Sequence, residues 1–249
     1  MSVPVPSDLD HPELPKGQLL YAVGDIHGRL DLLRDLLQLI EDDAQSRAHA
    51  TRRTLVFLGD YIDRGPDSSG VVADLIARAF PGFDAHFLKG NHEAILLDFL
   101  DDPLHLGHWL MNGGQETMES YGVDTEALAA ARAAPEAWRE AFAAALPETH
   151  LRFFRTLKLS VTIGDYLFVH AGVRPGVPLA GQSEDDLVWI RRPFLDHAGS
   201  FGKVVVHGHT PAPLPVVRPN RIGIDTGAVF SDRLTALRLE DRARAFLHT

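Results

Sequence analysis

The 249-residue chain contains no cysteine. That absence excludes disulfide staples, zinc–thiolate and iron–sulfur sites, and any thiolate nucleophile. There is no run of eighteen apolar residues, so no membrane-spanning helix is expected. Basic residues are in the minority, 24 Lys and Arg against 34 Asp and Glu, giving a net charge of −10. A protein that coats nucleic acid or an anionic membrane needs a basic face, and this balance argues against both. What the chain does have is 45% hydrophobic residues, enough to bury a core, and 13 histidines. Histidine is the other common source of metal ligands and proton carriers.

The first eighteen residues hold four prolines and three acids without an apolar run. They read as a flexible tail without a signal peptide, ahead of one domain over 19–249, and the protein is expected to be cytoplasmic. From residue 19 a pattern occurs three times: a short apolar run, a polar turn, then a helix-like periodic stretch. The runs lie at 19–23, 54–58 and 85–88, and the helical stretches at 30–43, 69–79 and 94–100. Strand, turn and helix every thirty residues or so predicts parallel βαβ units. Residues 101–156 are helix-forming, alanine-rich over 125–146 and broken by Pro135 and Pro147, and read as a helical insertion that selects substrate. Further strand-like runs at 157–163, 166–170, 203–207, 215–217, 222–224 and 234–239 sit too close together for helical crossovers. The expected fold is therefore α/β, α+β in part: a four-layer sandwich of two mixed sheets flanked by helices.

The polar turns carry the chemistry. They read Gly24-Asp25-Ile26-His27-Gly28, Gly59-Asp60-Tyr61-Ile62-Asp63-Arg64-Gly65 and Gly90-Asn91-His92-Glu93, followed by His170-Ala171-Gly172 and Gly208-His209-Thr210. Singly, an Asp or Asn at such a turn is an ordinary helix cap. Together, five strand ends offer carboxylate, carboxamide and imidazole, and open α/β sheets bind ligands at those ends. This donor set suits divalent manganese, iron or zinc better than calcium, and there are more donors than one ion would use.

These five motifs, in this order, resemble the phosphoprotein phosphatase family of calcineurin-like metallophosphoesterases. Segments at 108–114, 188–191 and 224–230 are similar to the bacteriophage lambda phosphatase and its bacterial relatives. The resemblance implies two divalent ions, manganese first among them with iron or zinc as alternatives. Asp25, His27 and Asp60 would hold one ion, and Asp60, Asn91, His170 and His209 the other. It implies His92 as general acid oriented by Asp63, and Arg64, Asn91 and Arg191 as phosphate contacts. Arg191 rather than Arg192 fits the Trp-x-Arg context, His207 reads as packing, and Glu93 as structural. Water activated between two cations can attack phosphorus directly, with no covalent intermediate.

The implied activity is metal-dependent phosphoester hydrolysis, with a serine/threonine or dual-specificity phosphoprotein or phosphopeptide substrate. The alternative is a bis(5'-nucleosyl)-tetraphosphatase acting on dinucleoside polyphosphates, and a non-catalytic scaffold is the remote third reading. Asp63 and Glu93 favour the protein phosphatase branch. The nine remaining histidines (11, 49, 86, 105, 108, 150, 197, 207 and 248) and Arg174 are expected to be solvated or packing residues.

Overall fold

A computed structural model describes residues 12–249. Two five-stranded sheets form the centre. The first has the order β10-β9-β1-β2-β3, from β1 (Gln18–Val23), β2 (Arg52–Phe57), β3 (Asp84–Phe87), β9 (Thr235–Glu240) and β10 (Ala243–His248). Strands β1, β2 and β3 are parallel, and β9 and β10 add antiparallel on the β1 side. The second sheet is ordered β4-β5-β6-β8-β7, from β4 (Ser160–Ile163), β5 (Tyr166–Val169), β6 (Val204–His207), β7 (Val216–Val217) and β8 (Arg221–Gly223). It is mixed, with β5, β6 and β8 parallel and an antiparallel strand at each edge.

Alternation along each strand builds the layers. Leu20 and Ala22 of β1, Val56 of β2, Phe168 of β5, Val206 of β6 and Leu237 of β9 point between the sheets and form one apolar core. Leu19, Tyr21, Val23, Leu55 and Phe57 point the other way, under the helices. Strands buried on both faces read as continuous apolar runs, which is why the sequence shows them plainly. Helix α1 (Leu30–Gln45) buries Leu32, Leu33, Leu36, Leu37 and Ile40 on one stripe of helical period. Helix α2 (Ser68–Arg78) starts where the Asp67 carboxylate accepts the Gly70 N–H at 2.8 Å. The outer face of the second sheet is covered by Leu187, Ile190 and Phe194, on and after a short helix over Glu184–Trp189. The expected sandwich of two mixed sheets flanked by helices is thus the observed fold.

Several local expectations need correction. The third helix, α3 (Asn91–Asp101), begins three residues earlier than its apolar period implied, so Asn91 and His92 lie in its first turn. Glu93 makes this possible: its carboxylate reaches back to the Gly90 N–H at 2.8 Å, the return half of a capping box whose other half glycine cannot supply. Residues 157–159 are not in the strand: pairing with β5 starts at Ser160, and Lys158 instead makes a single bridge to Leu88 at the end of β3. Strand β10 has no visible period, since none of its residues is fully buried, three are exposed, and it lies at the sheet edge. The alanine-rich stretch, by contrast, breaks before Pro135 as expected, into helices over Thr125–Ala130 and Pro135–Ala145 with Pro135 in the first turn of the second.

The flexible tail expected over 1–18 lies outside the described residues up to residue 11. Residues 12–18 belong to the fold: Leu14 is buried, its N–H bonds the Asp241 carbonyl, and Gln18 opens β1. Among the described residues no helix is long and apolar enough to cross a membrane.

Candidate metal centre

The turns after β1, β2, β3, β5 and β6 meet at one end of the sandwich, and each brings buried polar groups. Asp25, His27, Asp60, Asn91, His92, His170 and His209 are all at most 5% exposed. The backbone is bent to deliver them. His27, Asp60, Asp63, Arg64 and His209 all have positive φ, between 47° and 72°, a region that non-glycine residues occupy at a cost. Glu93 holds the strain locally, its carboxylate accepting from Asp60 N–H at 3.0 Å, Tyr61 N–H at 2.8 Å and Gly90 N–H at 2.8 Å. Gly65 has no alternative, since any Cβ there would run into the His27 carbonyl.

Three of the four histidines share one design. His27 Nδ1 lies 2.9 Å from the Ile62 carbonyl, His170 Nδ1 2.9 Å from the Leu58 carbonyl, and His209 Nε2 3.2 Å from the Trp189 carbonyl. A carbonyl only accepts, so each ring donates there and turns the lone pair of its other nitrogen inward. Those inward atoms converge. His27 Nε2 is 3.5 Å from Asp60 Oδ2, and His170 Nε2 is 3.4 Å from Asp60 Oδ1. Asn91 Oδ1 lies 3.0 Å from His170 Nε2 and 2.8 Å from His209 Nδ1. Burial pushes His27 down to about 3 and also lowers His170 and His209, so these rings are neutral, as ligands must be.

His92 differs. Its Nδ1 meets a carboxylate, Asp63 Oδ2, at 2.6 Å, and its Nε2 is buried without a partner. Burial opposes its charge, but Asp60 and then Asp63 outweigh that and raise its pKa. Asp63 is itself fully buried and held by Thr117 Oγ1 at 2.6 Å and Trp109 Nε1 at 3.1 Å. Sequence reading missed these two supports, although Trp109 lay in a segment already singled out.

The donors fit cations. His27, Asp60 and His92 form one group, and Asp60, His170 and His209 another, each with ligand atoms within 4.8 Å of one another. Asp60 is common to both. Asp25 is absent from these groups, yet its Oδ1 is buried without a partner while Oδ2 accepts the His209 N–H at 2.9 Å. Burial, Asp225 and Asp60 together push Asp25 well above the usual carboxylate range. A buried acid repelled by its neighbours and left with an unpaired oxygen is what a cation would relieve.

Two arginines border the site. Arg64 Nη1 is 2.9 Å from His27 Nε2, and Arg191 Nη2 bonds the His209 carbonyl at 3.3 Å. Arg192 is 3.5 Å from Asp196 and turned to solvent, so Arg191 is the one of the adjacent pair that borders the centre. Arg174 pairs with Asp186 away from the centre, while His108 stacks on Trp189 with ring centroids 5.8 Å apart. Asn112 bonds the His108 carbonyl, not the site. His207 sits behind His209 with Nδ1 3.0 Å from the Gly208 carbonyl.

The calcineurin-like phosphoesterase profile matches residues 19–240. The chain belongs to that family. It is accordingly a hydrolase of the metallophosphoesterase superfamily, whose members use a dimetal centre. The asymmetrical bis(5'-nucleosyl)-tetraphosphatase PrpE of Bacillus velezensis is 27% identical over 241 residues, 88% of each chain. A crystal structure provisionally named a diadenosine tetraphosphatase is 24% identical, covers 92% of this chain and 93% of that one, and has a TM-score of 0.61. A Saccharomyces cerevisiae protein serine/threonine phosphatase, 14% identical, covers 96% and 84% with a TM-score of 0.52. At these identities the two structures share the fold. The curated relatives carry the name of the reading that stood second from sequence.

Proposed function

We propose that the protein is a dinucleoside tetraphosphatase that cleaves its substrate asymmetrically. The observation that carries this reading is the match to tetraphosphatases along 88% of this chain and 88–90% of theirs. On that ground the protein phosphatase reading comes second, reversing the order drawn from Asp63 and Glu93. That second reading keeps one specific support, the buried Asp63–His92 pair at 2.6 Å, a proton donor suited to a poor leaving group such as a serine alkoxide.

Asp25, His27 and Asp60 would hold one divalent ion, and Asp60, Asn91, His170 and His209 the other, with manganese the first choice and iron or zinc the alternatives. Bound there, the pair supplies a water of lowered pKa and positive charge for phosphate oxygens. The chain's own residues do the rest. Arg64 and Arg191 bind phosphate oxygens through their planar forks, helped by the Asn91 amide. The three carbonyl-anchored imidazoles cannot swing away, because each is tied to backbone. Asp60 and Asp63 favour the charged form of the His92 ring, and Asp63 aims it, so that its Nε2 faces the leaving oxygen.

The test is a direct comparison of kcat/KM on diadenosine tetraphosphate and on a phosphoserine peptide, using metal-loaded protein. Nucleoside triphosphate and monophosphate should appear as products. A phosphopeptide efficiency more than about tenfold above that for the dinucleotide would restore the protein phosphatase reading.

A further inference from the structure

A short helix, α4 (Leu106–Met111), is tied to the surroundings of both arginines that border the metal centre. Just past its end, the Gly113 carbonyl accepts the Arg64 N–H at 3.2 Å, and a Cβ on Gly113 would meet the Arg64 side chain. From its middle, His108 lies on Trp189, the rings 19° from parallel and their centroids 5.8 Å apart. Trp189 is two residues before Arg191, and its ring stands edge-on to His209 with centroids 6.2 Å apart. His108 is therefore two ring spacings from a candidate metal ligand.

Two side chains of α4 face solvent. Met111 is 82% exposed, the highest value for a large hydrophobic residue among the described residues. His108 is exposed as well, although Trp189 covers one side of its ring. Residues three apart on a helix are neighbours, so the imidazole and the thioether form one patch. The core does not need them, because Leu106 and Trp109 on the opposite side supply the buried contacts of the helix. The shape and place of the patch indicate its occupant. An aliphatic side chain of a peptide gains little on an open surface, since it must leave water to be stabilised. A nucleobase gains by stacking on a flat ring, and a soft sulfur at its edge adds to that. The distance to His209 is one that a nucleoside and its phosphate can bridge. We infer that His108 and Met111 hold one nucleobase of the substrate, the imidazole stacked on its face and the thioether against its edge. This rests on the tetraphosphatase reading, and it supplies a source of specificity that a metal centre gripping only phosphate lacks.

The test is steady-state kinetics of the metal-loaded protein on diadenosine tetraphosphate, with inhibition by adenosine monophosphate and by inorganic phosphate measured alongside. His108→Ala should raise KM for the dinucleotide and the inhibition constant of adenosine monophosphate by about 5- to 100-fold, the worth of one stacked base, with kcat and metal content kept. Met111→Ala should raise both by about 2- to 10-fold. His108→Phe, which keeps a stacking ring, should restore most of the loss. Inhibition by inorganic phosphate, which has no base, should not change in any of the three. Parent-like KM and nucleotide inhibition in His108→Ala would overturn this inference alone. So would an equal weakening of phosphate inhibition, or a KM raised on a phosphoserine peptide instead of the dinucleotide. A parent protein that leaves diadenosine tetraphosphate intact would overturn the tetraphosphatase reading and this inference with it.

Discussion

Replacing His92 by asparagine separates the two substrate classes, because they differ in how much they need a proton. A serine alkoxide leaves poorly unless protonated, whereas the nucleotide released from a tetraphosphate departs on a phosphate whose last pKa is about 6. In the structure His92 Nδ1 is held 2.6 Å from a fully buried carboxylate, so the ring is a preformed acid. Its loss should cost about 10²–10⁴ in kcat/KM on a phosphoserine peptide. On diadenosine tetraphosphate the cost should stay within about tenfold, since little proton demand is left unmet. Asp63→Asn makes the subtler test. It keeps a hydrogen-bond acceptor but removes the charge, a charge-assisted bond of about 1.5–3 kcal/mol. That corresponds to roughly 1–2 pKa units on His92. The sign follows from the protonation requirement: Asp60 and Asp63 raise the His92 pKa, so losing one lowers it. The alkaline limb of the pH–rate profile on phosphoserine should therefore move to lower pH by that amount. The assay is phosphate release from the peptide and chromatographic separation of nucleotides, with metal content measured on every variant. Equal losses on both substrates with metal retained would refute the acid role, and loss of metal in His92→Asn would make His92 a ligand instead.

Asp60→Asn should release both ions together, because Asp60 belongs to both donor groups, and elemental analysis showing loss of only one would contradict the bridge. Gly208→Ala drives a Cβ into Asp25 Oδ1 and should weaken metal binding by about 1–3 kcal/mol, read by competition with a chelator. His207, buried and pushed down to about 4 chiefly by burial, is neutral when folded but protonates more readily when unfolded. Its contribution, on the order of 3 kcal/mol, is therefore present above pH ~6.5 and lost as pH falls toward 4. His207→Gln should flatten that part of the stability curve in denaturant titrations, and an unchanged acid dependence would count against the assignment.

The sequence exposed those features whose physics is local. Strands β1 and β2 were legible because both faces are buried, and the turns after them because glycine, Asp and His recur at fixed offsets. The start of α3 was not legible from apolar period, since its first turn is made of Asn91, His92 and Glu93, all polar and all buried. Leu14 looked like part of a tail because its burial depends on contacts with residues more than a hundred positions away, at 164–165 and 241. The tautomer-setting partners were invisible for another reason: they are the backbone carbonyls of Leu58, Ile62 and Trp189, and any side chain would serve at those positions. Spacing did not separate Arg191 from Arg192; the Trp-x-Arg context favoured Arg191, and in the structure it is Arg191 that bonds the His209 carbonyl while Arg192 turns to solvent.

The donors come from turns of both sheets: Asp25, His27, Asp60 and Asn91 follow strands of the first, His170 and His209 strands of the second. Ions held there would act as rivets between two halves that otherwise meet through a hydrocarbon core and a few hydrogen bonds, such as those of His170 to Leu58 and His209 to Asp25. Their binding energy would then count toward folding. Breathing of one half against the other, and with it digestion by proteases, would follow the supply of metal. The amount of intact protein in a cell would become a gauge of its metal economy.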